Sequence, residues 1–409
     1  MNEKLFKRDF SEEIEKYLDS ENIIVLHGAR QVGKSHILFY LEKLLQDRKK
    51  LTKFLDLEDS RFVDLLNEGV DSLLIFLQAE GFDLEKIKNS KERLYLFIDE
   101  IQYLENPSSL MKLLIDHHSY IQLIVSGSSS FNIKSKFSDS LVGRTVDFEI
   151  FNLSFAEFLR FKNISINLKG KLDGIHLTKI KELYLEYMSF GGYPKIVLEN
   201  SIEKKEKYLQ QIIDTYIKKD IRDLAHIKNI KKFNDFLKVL ASQSGQLVNV
   251  AELSRKCKIA VQTVENYLFL LENTYVIKLV APFSSNAMVE VIKSPKLFFY
   301  DTGLLQMLQT KKLQKTDQGS VLETSVFAEL VKKFGQDNVN FWRNKNQNEI
   351  DFILQKKAEL LPIEVKSNFG NFRKTAMTFF CEKYHLKNFA VVALEGEKKG
   401  KEYFYPWEI

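Results

Sequence analysis

Apolar positions along the 409-residue chain fall into several kinds of pattern. Apolar runs over residues 23–27, 94–98 and 121–125, broken only by His27 and Gln122, have the length and composition of strands buried on both faces. Behind the first run, Ile37, Leu38, Leu41, Leu44 and Leu45 recur at helical spacing, so strand, loop and helix follow in that order. Residues 165–232 read as helices. One of them carries Leu209, Ile212, Ile213, Tyr216, Ile217, Ile221 and Leu224 on a single face. From residue 233 the pattern predicts a helix ending in a glycine turn, a short helix capped by Asn249, and a longer helix running into two short strands. That is the order of a helix-turn-helix followed by a wing. Farther on the period changes to two: Glu349 and Asp351 alternate with Ile350 and Phe352, as on a strand with one polar face.

Length and composition bound the answer. A chain of this size holds two to four domains. With 44% hydrophobic and 28% charged residues, the balance is that of a soluble globular protein. Lys and Arg exceed Asp and Glu by 60 to 55, a formal +5, too mild to imply nucleic acid by itself. Cys257 and Cys381 match no metal or redox spacing, the N-terminus lacks a signal-peptide core, and no apolar run reaches the length needed to span a bilayer. The expectation is a cytoplasmic protein with no membrane partner.

Chemistry enters at "GARQVGKS". Gly28, Ala29, Arg30, Gln31, Val32, Gly33, Lys34 and Ser35 complete the pattern G-x-x-x-x-G-K-[ST] between the first strand and the first long helix. Backbone N–H groups and a helix N-terminus would cradle phosphate there. Lys34 would reach the β and γ phosphates of ATP, and Ser35 would ligate Mg²⁺. At the end of the second apolar run, "FIDE" places Asp99 to hold Mg²⁺ and Glu100 to orient and deprotonate the attacking water. The third run ends in "SGSSS", where Ser126 or Ser128 could sense the γ-phosphate or simply cap the next helix. Arg144, just before a further strand, could reach the nucleotide of a neighbouring subunit in a homo-oligomer, or be a surface arginine.

The order GARQVGKS, FIDE, SGSSS, VGR, LSFAEFL and FGGYP resembles a family of prokaryotic AAA+ ATPases in which the core precedes a C-terminal domain of unsettled function. The resemblance implies a helical lid after the core. It also likens "GGYP", with Pro194, to a turn that contacts adenine in the lids of related ATPases; a plain helix-breaking turn reads equally well.

A second chemistry lies near the end. Glu323 stands in the first half of a predicted helix, Asp351 on a strand, and Glu364 with Lys366 on the next strand, where two-residue spacing puts both on one face. Asp351 and Glu364 could hold Mg²⁺, Glu323 could complete the site, and Lys366 could position water. Residues 319–400 resemble the PD-(D/E)xK restriction-endonuclease-like fold; a structural E-x-K pair is the alternative. Basic residues, Lys332, Lys333, Arg343, Lys345, Arg373 and Lys374 among them, could flank bound DNA or form a solvated face.

The expected architecture is therefore α/β: a P-loop AAA+ core with a parallel sheet over residues 1–160, a helical lid over 161–232, a winged helix over 233–285, and a nuclease-like α/β domain over 286–409. The expected function is Mg²⁺-dependent ATP binding and hydrolysis coupled to DNA binding or cleavage. The alternatives are an ATP-driven switch whose nuclease-like domain only binds, and a winged-helix regulator of transcription.

Overall fold

The computed structural model describes residues 5–127, 141–168, 173–215, 229–284, 294–316, 319–356 and 359–409. Ser128 and the second half of the amphipathic helix expected over residues 209–224 lie outside them. The chain divides into two units, Met1–Phe151 and Asn152–Ile409.

In the first unit the apolar runs become β1 (Ile23–His27), β3 (Leu94–Asp99) and β4 (Ile121–Gly127), buried at every position. With β2 (Leu51–Asp56) and β5 (Thr145–Glu149) they form an all-parallel sheet in the order β2-β3-β4-β1-β5. Helices α1 (Asp9–Glu15), α2 (Lys34–Asp47), α3 (Ser60–Glu68), α4 (Val70–Ala79), α5 (Leu84–Lys88) and α6 (Pro107–His117) accompany it. α2 buries Ile37, Leu38, Leu41 and Leu45, the stripe its spacing predicts. Because all five strands run one way, their carboxyl ends gather the loop after β1, the acids after β3 and Ser126 at one edge.

The second unit opens with α7 (Phe155–Phe161), α8 (Gly174–Phe190), α9 (Pro194–Leu198) and α10 (Ile202–Ile212). Three further helices follow, α11 (Ile230–Ser242), α12 (Val250–Cys257) and α13 (Val261–Asn273), then an antiparallel pair, β6 (Ile277–Val280) and β7 (Lys296–Phe299). Asn249 caps α12 by accepting from the Glu252 N–H, as its position predicts. α14 (Thr302–Thr310) and α15 (Gly319–Phe334) lead into a mixed sheet of β8 (Val339–Arg343), β9 (Glu349–Lys356), β10 (Glu359–Asn368), β11 (Ala390–Glu395) and β12 (Tyr403–Phe404), with α16 (Thr375–Lys383) between β10 and β11. β8, β9 and β10 pair antiparallel; β10, β11 and β12 pair parallel. Phe298 of β7, Phe327 of α15 and Phe352 of β9 meet with centroids 4.8 to 6.2 Å apart, so an aromatic trio joins the β6–β7 pair to the later sheet and helix.

The "GGYP" motif proves to be part of a buried knot with "DTG", residues 301–303, at the start of α14. Asp301, the N-cap of α14, accepts from the N–H of Leu304 at 2.7 Å, the N–H of Gly192 at 2.8 Å and the amide of Asn152 at 2.5 Å. A Cβ on Gly191 would stand 2.3 Å from the Asp301 carboxylate, and one on Gly303 2.1 Å from the Phe190 carbonyl oxygen. "GGYP" and "DTG" carry glycine because each backbone passes against the other. Burial raises the Asp301 carboxyl above the usual carboxylate range, partly offset by the N–H bonds it accepts. Pro194 is the first residue of α9, half-buried, where its missing N–H costs no helical bond.

Candidate nucleotide site and a lysine-centred acidic pocket

The loop after β1 turns on two left-handed residues, Gln31 at φ 62° and Gly33 at φ 97°, and Gly33 caps α2. Gly28 is required for a different reason: its Cβ would fall 2.0 Å from the Ile150 carbonyl oxygen, so the strand's exit closes on the loop from below. Lys34 is 5% exposed and donates to the carbonyls of Gly28 at 3.2 Å and Ala29 at 2.8 Å. Burial lowers its ammonium to about 8, against the opposing pull of Glu100 and Asp99. Ser35 lies in the first turn of α2.

Asp99 ends β3, opposite Asp56 on β2. Its Oδ1 accepts from the Ser126 hydroxyl and, at 3.1 Å, from the Glu100 N–H. No ion pair claims this carboxylate among the described residues, and both bonds fall on one oxygen. A buried, hydrogen-bonded carboxylate beside a serine hydroxyl is a donor set that suits Mg²⁺, a hard cation. Glu100 sits at φ 56°, in the left-handed region that non-glycine residues seldom adopt, and accepts from the Gln102 amide.

Sequence reasoning missed Arg8. Its guanidinium, 3% exposed, donates to the Val32 carbonyl in the loop at 2.8 Å and to the Phe151 carbonyl at 2.9 Å. One cation thus ties the phosphate loop to the chain leaving the sheet. Nothing in the run "KLFKRDF" singles it out. Arg144 precedes β5 at the strand-start edge, where its carbonyl accepts from the Ile23 N–H. The loop leaves the opposite edge. The Arg144 side chain pairs with Asp116 at 2.9 Å.

In the second unit, β9 and β10 bring Asp351, Glu364 and Lys366 together, as their spacing predicts. Asp351 Oδ2 accepts from the Val365 N–H at 2.8 Å, and Lys366 pairs with Glu364 at 2.6 Å and with Asp351 at 3.8 Å. Lys296 is a second residue that sequence reasoning missed. From β7 its ammonium reaches Glu349 at 2.6 Å, Glu323 at 3.3 Å and Asp351 at 3.9 Å, with the side chain 3% exposed. Burial alone would push this ammonium down, but Glu323, Asp351 and Glu349 raise it to about 12. Burial and then Asp351 raise Glu323 and Glu364 well above the usual carboxylate range. Among the described residues, no group of three or more His, Cys, Asp or Glu is arranged to hold a metal ion. Of the expected metal set of Glu323, Asp351 and Glu364, the first two pair with the Lys296 ammonium and the third with Lys366.

The comparisons match three stretches of the chain. Residues 20–159 match an AAA domain, 181–316 a domain of unknown function (DUF8612), and 318–407 a second one (DUF4143). The chain is 28% identical over 375 residues to the uncharacterized protein MJ1544 of Methanocaldococcus jannaschii, covering 90% of this chain and 79% of that one. It is 27% identical over 367 residues to an uncharacterized protein of Haemophilus influenzae, covering 88% and 86%. Among solved structures, AMPPCP-bound DnaA from Aquifex aeolicus aligns at a TM-score of 0.30 and 17% identity, over 65% of this chain and 89% of that one. No helix among the described residues is long and apolar enough to cross a membrane. Loop, acids and strand order all lie within the stretch that matches the AAA domain, and the first unit is built like an AAA-type ATPase domain.

Proposed function

We propose that the chain is a Mg²⁺-dependent ATPase that works as a switch, with a second unit that binds a partner and does not cut it. Lys34 and the loop N–H groups would hold the phosphates, and Ser35 and Asp99 would hold Mg²⁺, which neutralises phosphate charge when bound. Glu100 would orient and deprotonate the attacking water, and Ser126 would fix Asp99. The observation that supports this most is the meeting of Lys34, Asp99 and Glu100 at one strand edge, with Lys34 under the electrostatic pull of both acids. A homo-oligomer in which Arg144 serves a neighbouring site would first have to release it from Asp116.

For the second unit, the lysine inside the acidic pocket favours binding over cleavage. The face of α13 that would read DNA is poorly suited to it: Val261 and Phe269 are exposed there with Glu265, and the helix contains neither Lys nor Arg. Lys332, one candidate DNA contact, is buried and bonded to the Leu153 carbonyl and the Tyr187 hydroxyl. A polypeptide partner suits these surfaces better than a phosphate backbone. Cleavage stays as the second reading because Glu364, Lys366 and Asp351 do converge.

The test measures ATP hydrolysis and DNA cleavage together, with Mg²⁺ and with Mn²⁺, on wild type, Lys34→Ala and Glu364→Ala. Hydrolysis lost in Lys34→Ala, kept in Glu364→Ala, with no cleavage by any chain, supports the switch. Cleavage that Glu364→Ala removes would falsify it.

A further inference from the structure

Resting on the reading of the second unit as a binding module, we infer that the Lys296 ammonium is the resident cation of the C-terminal acidic pocket and takes the position that a divalent metal would need. The argument is one of charge and donors. Divalent Mg²⁺ or Mn²⁺ needs several oxygens free to turn toward it. Here Glu349, Glu323 and Asp351 already face one ammonium, at 2.6, 3.3 and 3.9 Å. The other oxygen of Asp351 is held by the Val365 N–H and faces Lys366, and Glu364 is engaged by Lys366. Four carboxylates thus share two lysines, with Arg343 also 3.6 Å from Glu349. A cation entering the pocket would have to displace an ammonium whose side chain is 3% exposed.

The geometry also fixes why the lysine stays. Lys296 and Phe298 are two apart on β7 and share a face, and Phe298 stacks on Phe327 at 4.8 Å. Phe327 stands one turn along α15 from Glu323. The apolar contact and the ion pair therefore set the same strand against the same helix. The Lys296 ammonium also lies 5.6 Å from the Phe341 ring, and Leu247 bridges the strand at this residue. A metal bound by a nuclease comes and goes with its substrate, whereas this cation is part of the chain.

The test is Mn²⁺ uptake by the full-length, nucleotide-free protein, read by electron paramagnetic resonance. Wild type and Asp351→Asn are expected to take up Mn²⁺ equally. Lys296→Ala, which opens the pocket and uncovers its carboxylates, is expected to gain one equivalent per chain, lost again when Asp351→Asn is added. If Lys296→Ala does not fold, Lys296→Gln takes its place, and the wild-type comparison stands in either case. Wild-type uptake one equivalent above Asp351→Asn, or a folded Lys296 variant that gains none, overturns the inference. Uptake is read without DNA or ATP, so it can fail independently of the switch: cleavage lost in Glu364→Ala would end that reading and leave the metal result as measured.

Discussion

At the scale of single residues, the nucleotide loop was legible because its chemistry is contiguous: eight neighbouring residues carry it, with a strand before and a helix after. Arg8 and Lys296 were not, because each owes its role to partners far along the chain. Lys296 in "PKLFFYD" reads as one polar residue opening an apolar strand, and only pairing of the strand shows that it points inward. Arg8 bonds two buried carbonyls, and its loss would leave both without that donor. Arg8→Ala is expected to cost about 2–4 kcal/mol in denaturant unfolding of the first unit and to weaken ATP binding through Val32. Lys34 gives a pH prediction with two signs. Its folded pKa, about 8, lies below the unfolded value of 10.5. Between these the unfolded chain holds more protons, so this residue's contribution to stability improves as pH rises through that window. ATP affinity should move the other way, falling above pH 8 as the ammonium discharges. Calorimetry near pH 8 in buffers of different ionisation enthalpy should register proton uptake on ATP binding; no uptake would mean that Lys34 keeps its proton in the free loop.

At the scale of elements, β1, β3 and β4 of the first sheet followed from their apolar runs, and β9 and β10 followed from alternation. The supporting geometry around them did not. Gly28 belongs to the phosphate pattern, yet its position is also dictated by the Ile150 carbonyl, a neighbour contributed by the exit from β5. Gly28→Ala should therefore lower the thermal midpoint of the first unit even without nucleotide, whereas Ser35→Ala should reduce Mg²⁺-dependent ATP binding with little change in that midpoint. A Gly28→Ala chain that melts like wild type would show that the loop can relax away from Ile150. "GGYP" invites an adenine-contact reading because glycine and proline are turn residues in any setting. What the pattern could not disclose is that its glycines face Asp301, a partner more than a hundred residues onward.

For the whole molecule, a switch requires that ATP be felt beyond the unit that binds it. A ligand at one hundred times its Kd stabilises the state that binds it by about 2.7 kcal/mol. Differential scanning calorimetry with saturating Mg·ATP should raise the transition of the first unit; a coupled second unit should shift as well, and an uncoupled one should stay where it was. The two units divide between Phe151 and Asn152, short of the expected end of the core at residue 160. The Asp301 knot adds a consequence for how the second unit comes together in time. Its carboxylate joins residues 109 and 149 positions away. Loops of that length are closed late, after local helices have formed. Asp301→Ala should leave the refolding limb of a chevron nearly unchanged and steepen the loss through faster unfolding. The knot would then act as a brake on escape from the native state, setting how long a folded copy lasts once made.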